Sequence, residues 1–365
     1  GVDTGSSHIG SAAVDNKGNV VYLSEVEIRN DVSDKMKQRT KYRRNRRNRK
    51  TRYRPARWLN RKNSIKTGRF SPTMVSKLHS HEKEILFAKS LLPISDVILE
   101  TATFNPHALK NPAVLKNKWL YQRGTNYGFA NTKAFVLDRD SYTCRHCKGK
   151  SKDSRLEVHH IIFRSNGGSD EKENLITLCK TCHDKVHSGE IKLHGGKVKG
   201  QLKHATQMNS IRKQLLLQNP EVHETFGFIT KEHRQFMGLP KEHYYDAVAI
   251  ANLNNLEKYG MLSVDVKTPL LRKKCVSDGD YQQTKGVRSE QPIQTSKIMG
   301  FRKFDKVEYA GQEFFIKGRM STGYAILMGI NGMKIPLKPI PKFDRMKRLS
   351  ARKAWIIQQE IIQNI

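Results

Sequence analysis

Between Cys144 and His187 the chain reads CRHC and then, from Leu156, LEVHHIIFRSNGGSDEKENLITLCKTCHDKVH, a string that limits the local fold more than any other feature. Two Cys-x-x-Cys pairs, Cys144/Cys147 and Cys179/Cys182, have the spacing of a structural zinc site rather than of disulfides. Between the pairs stand His159-His160, a Gly167-Gly168 turn and Asn174. His183 and His187 follow four residues apart, so on a helix both imidazoles share a face and can reach one cation. So small a module cannot hold itself together by apolar burial, and metal must do part of the folding. A divalent cation can neutralise a phosphate, and a neutral imidazole can take a proton from water near pH 7. A purely structural zinc finger needs neither the paired histidines nor the two downstream.

Charge points the same way. The chain has 67 Lys+Arg against 34 Asp+Glu, a net +33 over 365 residues. That excess exceeds what solubility needs, and the partners that neutralise such a field are polyphosphates. No apolar run reaches the roughly 18 residues of a membrane span, and no signal peptide is visible. The length allows two or three domains. Gly1-Val2-Asp3 reads as the inside of a strand without a leading Met, so the natural protein is expected to extend further in that direction. Cys275, beside Lys273 and Lys274, reads as an ordinary free thiol.

Local patterns set the organisation. Residues 1–30 read as a β-meander with a turn at Asp15–Asn19. From Asp31 to about Arg54 the sequence is helical and basic throughout, with Tyr42, Tyr53 and Trp58 as candidate stacking groups. Ser71–Leu91 is an amphipathic helix burying Met74, Val75, Leu78, Ile85, Leu86 and Leu91; the apolar strand Val97–Leu99 then leads into Glu100. Residues 105–130 form a connector without clear periodicity, and residues 189–203 a Gly/Lys-rich linker. Phe226–Thr230 reads as a strand and Tyr244–Leu256 as a helix. Residues 306–339 alternate like short strands with a hairpin at Ile330–Met333, and Arg345–Ile365 reads as a basic helix. There are no internal repeats.

Three acids stand where chemistry is possible. Asp3 ends a strand before DTGSSHIG turns, Glu100 ends VILE, and Asp246 opens the helix HYYDAVAIA three residues after His243. Each alone is weak, because acids at strand ends and helix starts are common for structural reasons. His243, on the same helix face as Asp246, is a candidate to orient or deprotonate water or to bind metal.

The Cys/His string resembles the HNH, or ββα-metal, nucleases. That resemblance implies His160 as general base, His159, His183 and His187 as ligands of one magnesium ion, and Asn174 as the residue pinning the loop that carries His159-His160. It makes Arg164 a phosphate contact and the four cysteines a zinc knuckle. The order strand-Asp, strand-Glu, helix-Asp resembles the RNase H-like fold of RuvC nucleases, with Asp3, Glu100 and Asp246 holding two magnesium ions at one edge of a five-stranded mixed sheet, roughly 4 Å apart. DTGSSHIG, YRRNRRNRK, VILETATF, WLYQRGTNYG and GLPKEHYYDAVAIA, joined to the HNH string, are similar to the IscB-type transposon-encoded RNA-guided nucleases, relatives of CRISPR type II effectors.

That family implies a multidomain α/β chain: RuvC parts at 1–30, 63–115 and 201–275, an Arg-rich bridge helix at 31–62, linkers and HNH module at 116–200 with its core at 134–188, and a β-rich domain at 276–365 that reads a target-adjacent motif. Arg39, Arg43, Arg44, Arg46, Arg47, Arg49, Arg52 and Arg54 would grip guide RNA and its duplex with DNA. Base pairing then reads the target, HNH cuts the paired strand and RuvC the displaced one. The partners expected are guide RNA and double-stranded DNA, in a monomeric cytoplasmic ribonucleoprotein associated with a prokaryotic nucleoid. Two departures stand out: the family usually begins with a small domain ahead of the first RuvC strand, whereas the sequence given starts at that strand, and Thr4 replaces a common Pro. Two other readings remain, a guide-independent homing-type nickase and a guide-bound protein that does not cut.

Overall fold

The computed structural model describes residues 1–48, 70–124, 126–166, 168–195, 202–260, 264–277 and 297–362. The chain divides into two compact units, Gly1–Thr103 with Gln207–Ile365, and Phe104–Thr206.

The first unit opens with strands β1 (Val2–Thr4), β2 (His8–Val14) and β3 (Val20–Glu27), as the meander reading expects. Helix α1 (Val32–Asn48) follows, with Arg39, Arg43, Arg44 and Arg47 exposed. Arg46 lies on this helix, while Arg49, Arg52, Arg54, Tyr53 and Trp58 fall outside the described residues. Helix α2 (Pro72–Leu91) starts at the Ser71 cap, whose side chain accepts from the Met74 N–H, with Pro72 in the first turn where its missing N–H costs nothing. Leu78 and Ile85 are buried, but Leu86 and Leu91 are 65% and 55% exposed, so the stripe is narrower than the sequence reading made it. Strand β4 (Ile98–Thr101) closes this stretch.

The second unit is built around a two-stranded antiparallel sheet, with α3 (Thr132–Arg139), β5 (Leu156–His160), β6 (Leu175–Cys179) and α4 (Lys180–Ser188). The connector before it holds short helical turns at Pro106–Lys110, Ala113–Lys116 and Lys118–Tyr121.

Helix α5 (Lys203–Gln218) leads back to β7 (His223–Phe226), then α6 (Gly227–Phe236), α7 (His243–Ala251) and β8 (Leu270–Cys275). The strand expected at Phe226–Thr230 is therefore a helix from Gly227: the strand ends one residue into the predicted segment, where Gly227 fits closely against Glu100. A four-stranded sheet follows, ordered β11-β10-β9-β12, from β9 (Lys306–Tyr309), β10 (Gln312–Arg319), β11 (Ala325–Met328) and β12 (Lys347–Ser350). The expected basic helix over Arg345–Ile365 is instead β12 and β13 (Trp355–Glu360). β13 leaves its neighbours and pairs antiparallel with β8, so the main sheet has seven strands, β13-β8-β3-β2-β1-β4-β7, rather than five. Trp355 is 5% exposed against the main core, and burying that indole outweighs the helical reading of the surrounding charges.

Helices cover both faces of the main sheet. Ile9 of β2 packs on the side of α2 and α5 with Leu78, Ile85, Ile211 and Leu215; Ala12 faces α7 with Tyr245 and Val248. Under the first face lies an ion pair that sequence reading missed. Lys273 Nζ is 2.8 Å from Glu84 Oε2, both side chains fully buried. Ser11 and Ser24 donate to Glu84 at 2.6 and 2.5 Å, and the ammonium lies 4.1 Å from the Phe87 ring centre and 4.7 Å from that of Trp355. Burial pushes the Lys273 pKa down; Glu84 stays below the ordinary carboxylate range despite its burial because Lys273 faces it. The pair ties α2, β2, β3 and β8 together.

Removing one partner strands the other charge in the core. Lys273→Met should cost about 3–5 kcal/mol, and Lys273→Met combined with Glu84→Leu should restore most of it. The urea midpoints of the two variants check this.

Candidate functional site

Two groups of side chains carry chemistry, one in each unit. In the larger unit, β1 lies between β2 and β4, and its parallel pairing with β4 sets Asp3 directly beside Glu100. Across the antiparallel β1–β2 pair, Asp3 faces Gly10. A Cβ there would meet the His243 carbonyl oxygen at 1.9 Å, so only glycine lets the first turn of α7 settle on the sheet. That contact delivers the rest of the site: His243 Nδ1 lies 2.6 Å from Asp3 Oδ2, and Asp246 sits one turn along.

The electrostatics show crowding. Burial lifts the Glu100 carboxyl to about 7, with the charges of Asp3 and Asp246 adding to it. Burial also raises Asp246, again with Asp3 contributing. Bonding to Asp3 raises the His243 imidazole, which favours its cationic form. Arg234, which sequence reading missed, brings a second cation: its guanidinium is 2.7 Å from Asp246 Oδ1 and only 7% of the residue is exposed. In sequence it is one more basic residue between the strand expected at Phe226–Thr230 and the helix expected from Tyr244. The three carboxylates are less tightly gathered than the cysteines and histidines described next. They nevertheless fit divalent cations, because carboxyls raised by burial, and further by one another's charge, gain from positive charge.

In the smaller unit, β5, β6 and α4 form a ββα arrangement. His159, His183 and His187 place ligand nitrogens within 4.8 Å of one another. Nδ1 of His159 and of His183 are buried with no hydrogen-bond partner, and burial lowers the His159 pKa, so the ring stays neutral. The neutral His159 ring with its unpartnered nitrogen, set beside His183 and His187, fits a divalent cation. His160 stands beside them, its Nε2 2.7 Å from Asp170 Oδ1, and Arg164 Nε donates to the same oxygen at 2.8 Å. Asp170 is a second residue that sequence reading missed, hidden in a loop of ordinary polar composition.

Asn174 is fully buried and ties that loop down. Its Nδ2 donates to the carbonyls of Ile162 and Ser169 at 3.0 and 2.8 Å, and its Oδ1 accepts from the Ile162 N–H at 2.9 Å. Gly168 fits under the same loop, where a Cβ would lie 1.8 Å from the Ile162 oxygen.

The four cysteines are free thiols whose sulfurs all lie within 4.8 Å of one another. Tetrahedral zinc at about 2.3 Å from each sulfur puts the sulfurs about 3.8 Å apart; Cys147 and Cys179 are separated by 3.7 Å. The Ser151 hydroxyl bonds to Cys147 and lowers that thiol to about 5, the thiolate form that metal binding requires. The set fits zinc.

The Glu100 shift has a direct consequence in metal-free protein. Its folded-state pKa, about 7, lies above the 4.5 of an unperturbed glutamate carboxyl. The folded state therefore holds a proton that the unfolded state releases, and this contribution to stability is present below pH 4.5 and lost as pH rises through 7. Relative to Glu100→Gln, the unsubstituted protein should lose urea resistance between pH 5 and 8 in magnesium-free buffer; a constant difference across that range would contradict the shift.

Comparison with known proteins places these features. Residues 1–124 match the RRXRR protein family and residues 144–189 the HNH endonuclease family. Anaredoxin of a Nostoc species is 41% identical over 58 residues, 16% of this chain and 74% of its own. Type IV methyl-directed restriction enzyme EcoKMcrA of Escherichia coli is 37% identical over 62 residues, covering 15% of this chain and 22% of the enzyme. Probable mobile endonuclease C of Enterobacteria phage T4 is 41% identical over 51 residues, 14% of this chain and 24% of its own. Among solved structures, Streptococcus thermophilus Cas9 in complex with the AGAA PAM aligns with a TM-score of 0.39 at 13% identity, over 71% of this chain and 32% of that one. The chain thus spans about a third of that solved chain and under a quarter of the two endonucleases. The chain therefore carries an HNH endonuclease domain at residues 144–189, with an RRXRR match over residues 1–124.

Proposed function

We propose that the chain is an RNA-guided endonuclease of double-stranded DNA with two centres, the histidine module cutting the guide-paired strand and the acids cutting the displaced strand. The observation that carries this reading is the presence in one chain of two donor sets of different chemistry. One is His159, His183 and His187 beside His160; the other is Asp3 paired with Glu100 and joined by Asp246. The guide and the RuvC role are supported by the sequence resemblance and by the exposed arginines of α1, which suit a phosphate backbone. The β9–β12 sheet is the candidate reader of the flanking motif.

His159, His183 and His187 would hold one magnesium ion, the acids two, and the cysteines zinc. Magnesium at either centre supplies charge neutralisation for the phosphate and the departing oxygen. The protein's own groups do the rest. Asp170 holds His160 through Nε2, which leaves Nδ1 to take the proton from water as its oxygen bonds to phosphorus. The bridging P–O bond opposite breaks, and the departing oxygen takes its proton from solvent. The contact between Asp170 and the ring also stabilises the imidazolium once formed. Arg164, on the same carboxylate, lies at the lip of the cleft where a phosphate would approach. At the other centre, His243 and Arg234 balance Asp3 and Asp246 and keep the acids oriented until cations and substrate arrive.

Strand-resolved cleavage of a labelled duplex with guide present tests the division of labour. Asp3→Ala should leave only a nick in the paired strand and His160→Ala only a nick in the displaced strand, each loss at least about 100-fold. Loss of both cuts from either change would show that the centres are not independent. Specific cutting by RNA-free protein would instead favour a guide-independent nuclease.

A further inference from the structure

From Thr101 to Leu137 the sequence has no acidic residue, while Lys110, Lys116, Lys118, Arg123 and Lys133 fall within it. The same stretch exposes aromatic rings that a folded chain ordinarily covers. Trp119 is 65% exposed and Tyr127 61%. Both rings lie against one guanidinium, with Arg123 Cζ 4.9 Å from the Trp119 ring centre and 5.2 Å from that of Tyr127. The backbone holds the three in place: Asn117 caps the turn by accepting from the Trp119 N–H, Arg123 N–H bonds to the Trp119 carbonyl at 2.9 Å, and Tyr127 N–H to that of Gly124 at 2.9 Å. The neighbouring rings are engaged differently, Tyr121 with Asn105 and His107, and Phe129 with Phe135.

We propose that Trp119, Arg123 and Tyr127 form a base-stacking platform for unpaired nucleotides of a single strand. Flat rings ordered by a guanidinium offer a surface that any base can cover, because every base has a π face. Paired bases keep those faces inside the duplex, so the platform selects unpaired strand. A Trp-Tyr-Arg cluster would also suit a protein partner, but the unbroken run of positive charge around it complements a polyanion. The inference rests on the nucleic-acid reading above and adds a site that neither cleavage centre supplies.

The test uses the whole protein in magnesium-free buffer, with oligothymidylate carrying 5-iodouracil as the single strand and the same strand annealed to oligoadenylate as the duplex. Photocrosslinks on the unsubstituted chain should map to Trp119 or Tyr127 with single strand and not with duplex. Crosslinks confined to other segments would overturn the inference without any variant having to fold. Affinity gives the second reading. Trp119→Ala and Trp119→Leu should bind single strand roughly 5- to 100-fold more weakly, with duplex binding unchanged, while Trp119→Phe keeps most of the affinity. Full single-strand binding by Trp119→Leu, or equal losses on duplex, would contradict stacking and leave a protein-docking face as the alternative. If the unsubstituted chain binds neither probe, the nucleic-acid reading itself fails, a result distinct from failure of the platform alone.

Discussion

The parallel pairing of β1 with β4 is the contact on which the acid centre depends. It brings Asp3 beside Glu100 across almost a hundred residues of intervening chain. Parallel neighbours need a crossover, and here the crossover contains β2, β3, α1 and α2. The buried Glu84–Lys273 pair then joins α2 to β8, so the helix returning from the basic segment is fixed to the sheet by charge as well as by Leu78 and Ile85. Gly10 completes the arrangement by letting α7 sit close enough for His243 to reach Asp3. Gly10, with Gly1 under Ala247 and Ala251 of the same helix, therefore sets the spacing between sheet and helix at the acids.

The two units solve the problem of holding charge in different ways. The larger has a core spread over both faces of a seven-stranded sheet, and that core can support raised carboxyl pKa values and a buried guanidinium. The smaller has little apolar mass: Leu178 and Val186 pack with the cysteines themselves. The four thiols and the three hydrogen bonds of Asn174 add polar ties to that small cluster.

Much of this was legible in the sequence, and the failures share a cause. The strand ends carrying Asp3 and Glu100, the helix start carrying Asp246 and the clustering of the cysteines and histidines follow from local pattern. Arg234, Asp170 and the Lys273–Glu84 pair did not show, because each matters only through a partner that local pattern does not reveal. Arg234 is one basic residue among many until Asp246, twelve positions away, is found against it. The last strand was lost for a related reason. Lys347, Arg348, Arg352 and Lys353 dominate the tail's composition, whereas its fate is set by Trp355 and Ile356 meeting β8 some eighty residues earlier. Glu100 was seen as an acid, but its pKa near 7 depends on burial that the tetrapeptide VILE does not specify.

In the proposed function, two separate sets of metal donors, one of histidines and one of acids, hold the cations that cleave DNA. Anomalous diffraction from crystals soaked in manganese tests this most directly. The expected result is one peak among His159, His183 and His187 and further density beside Asp3, Glu100 and Asp246, with Arg234 drawn away from Asp246. Manganese at the histidines alone, with Arg234 still paired to Asp246 at saturating metal, would contradict it.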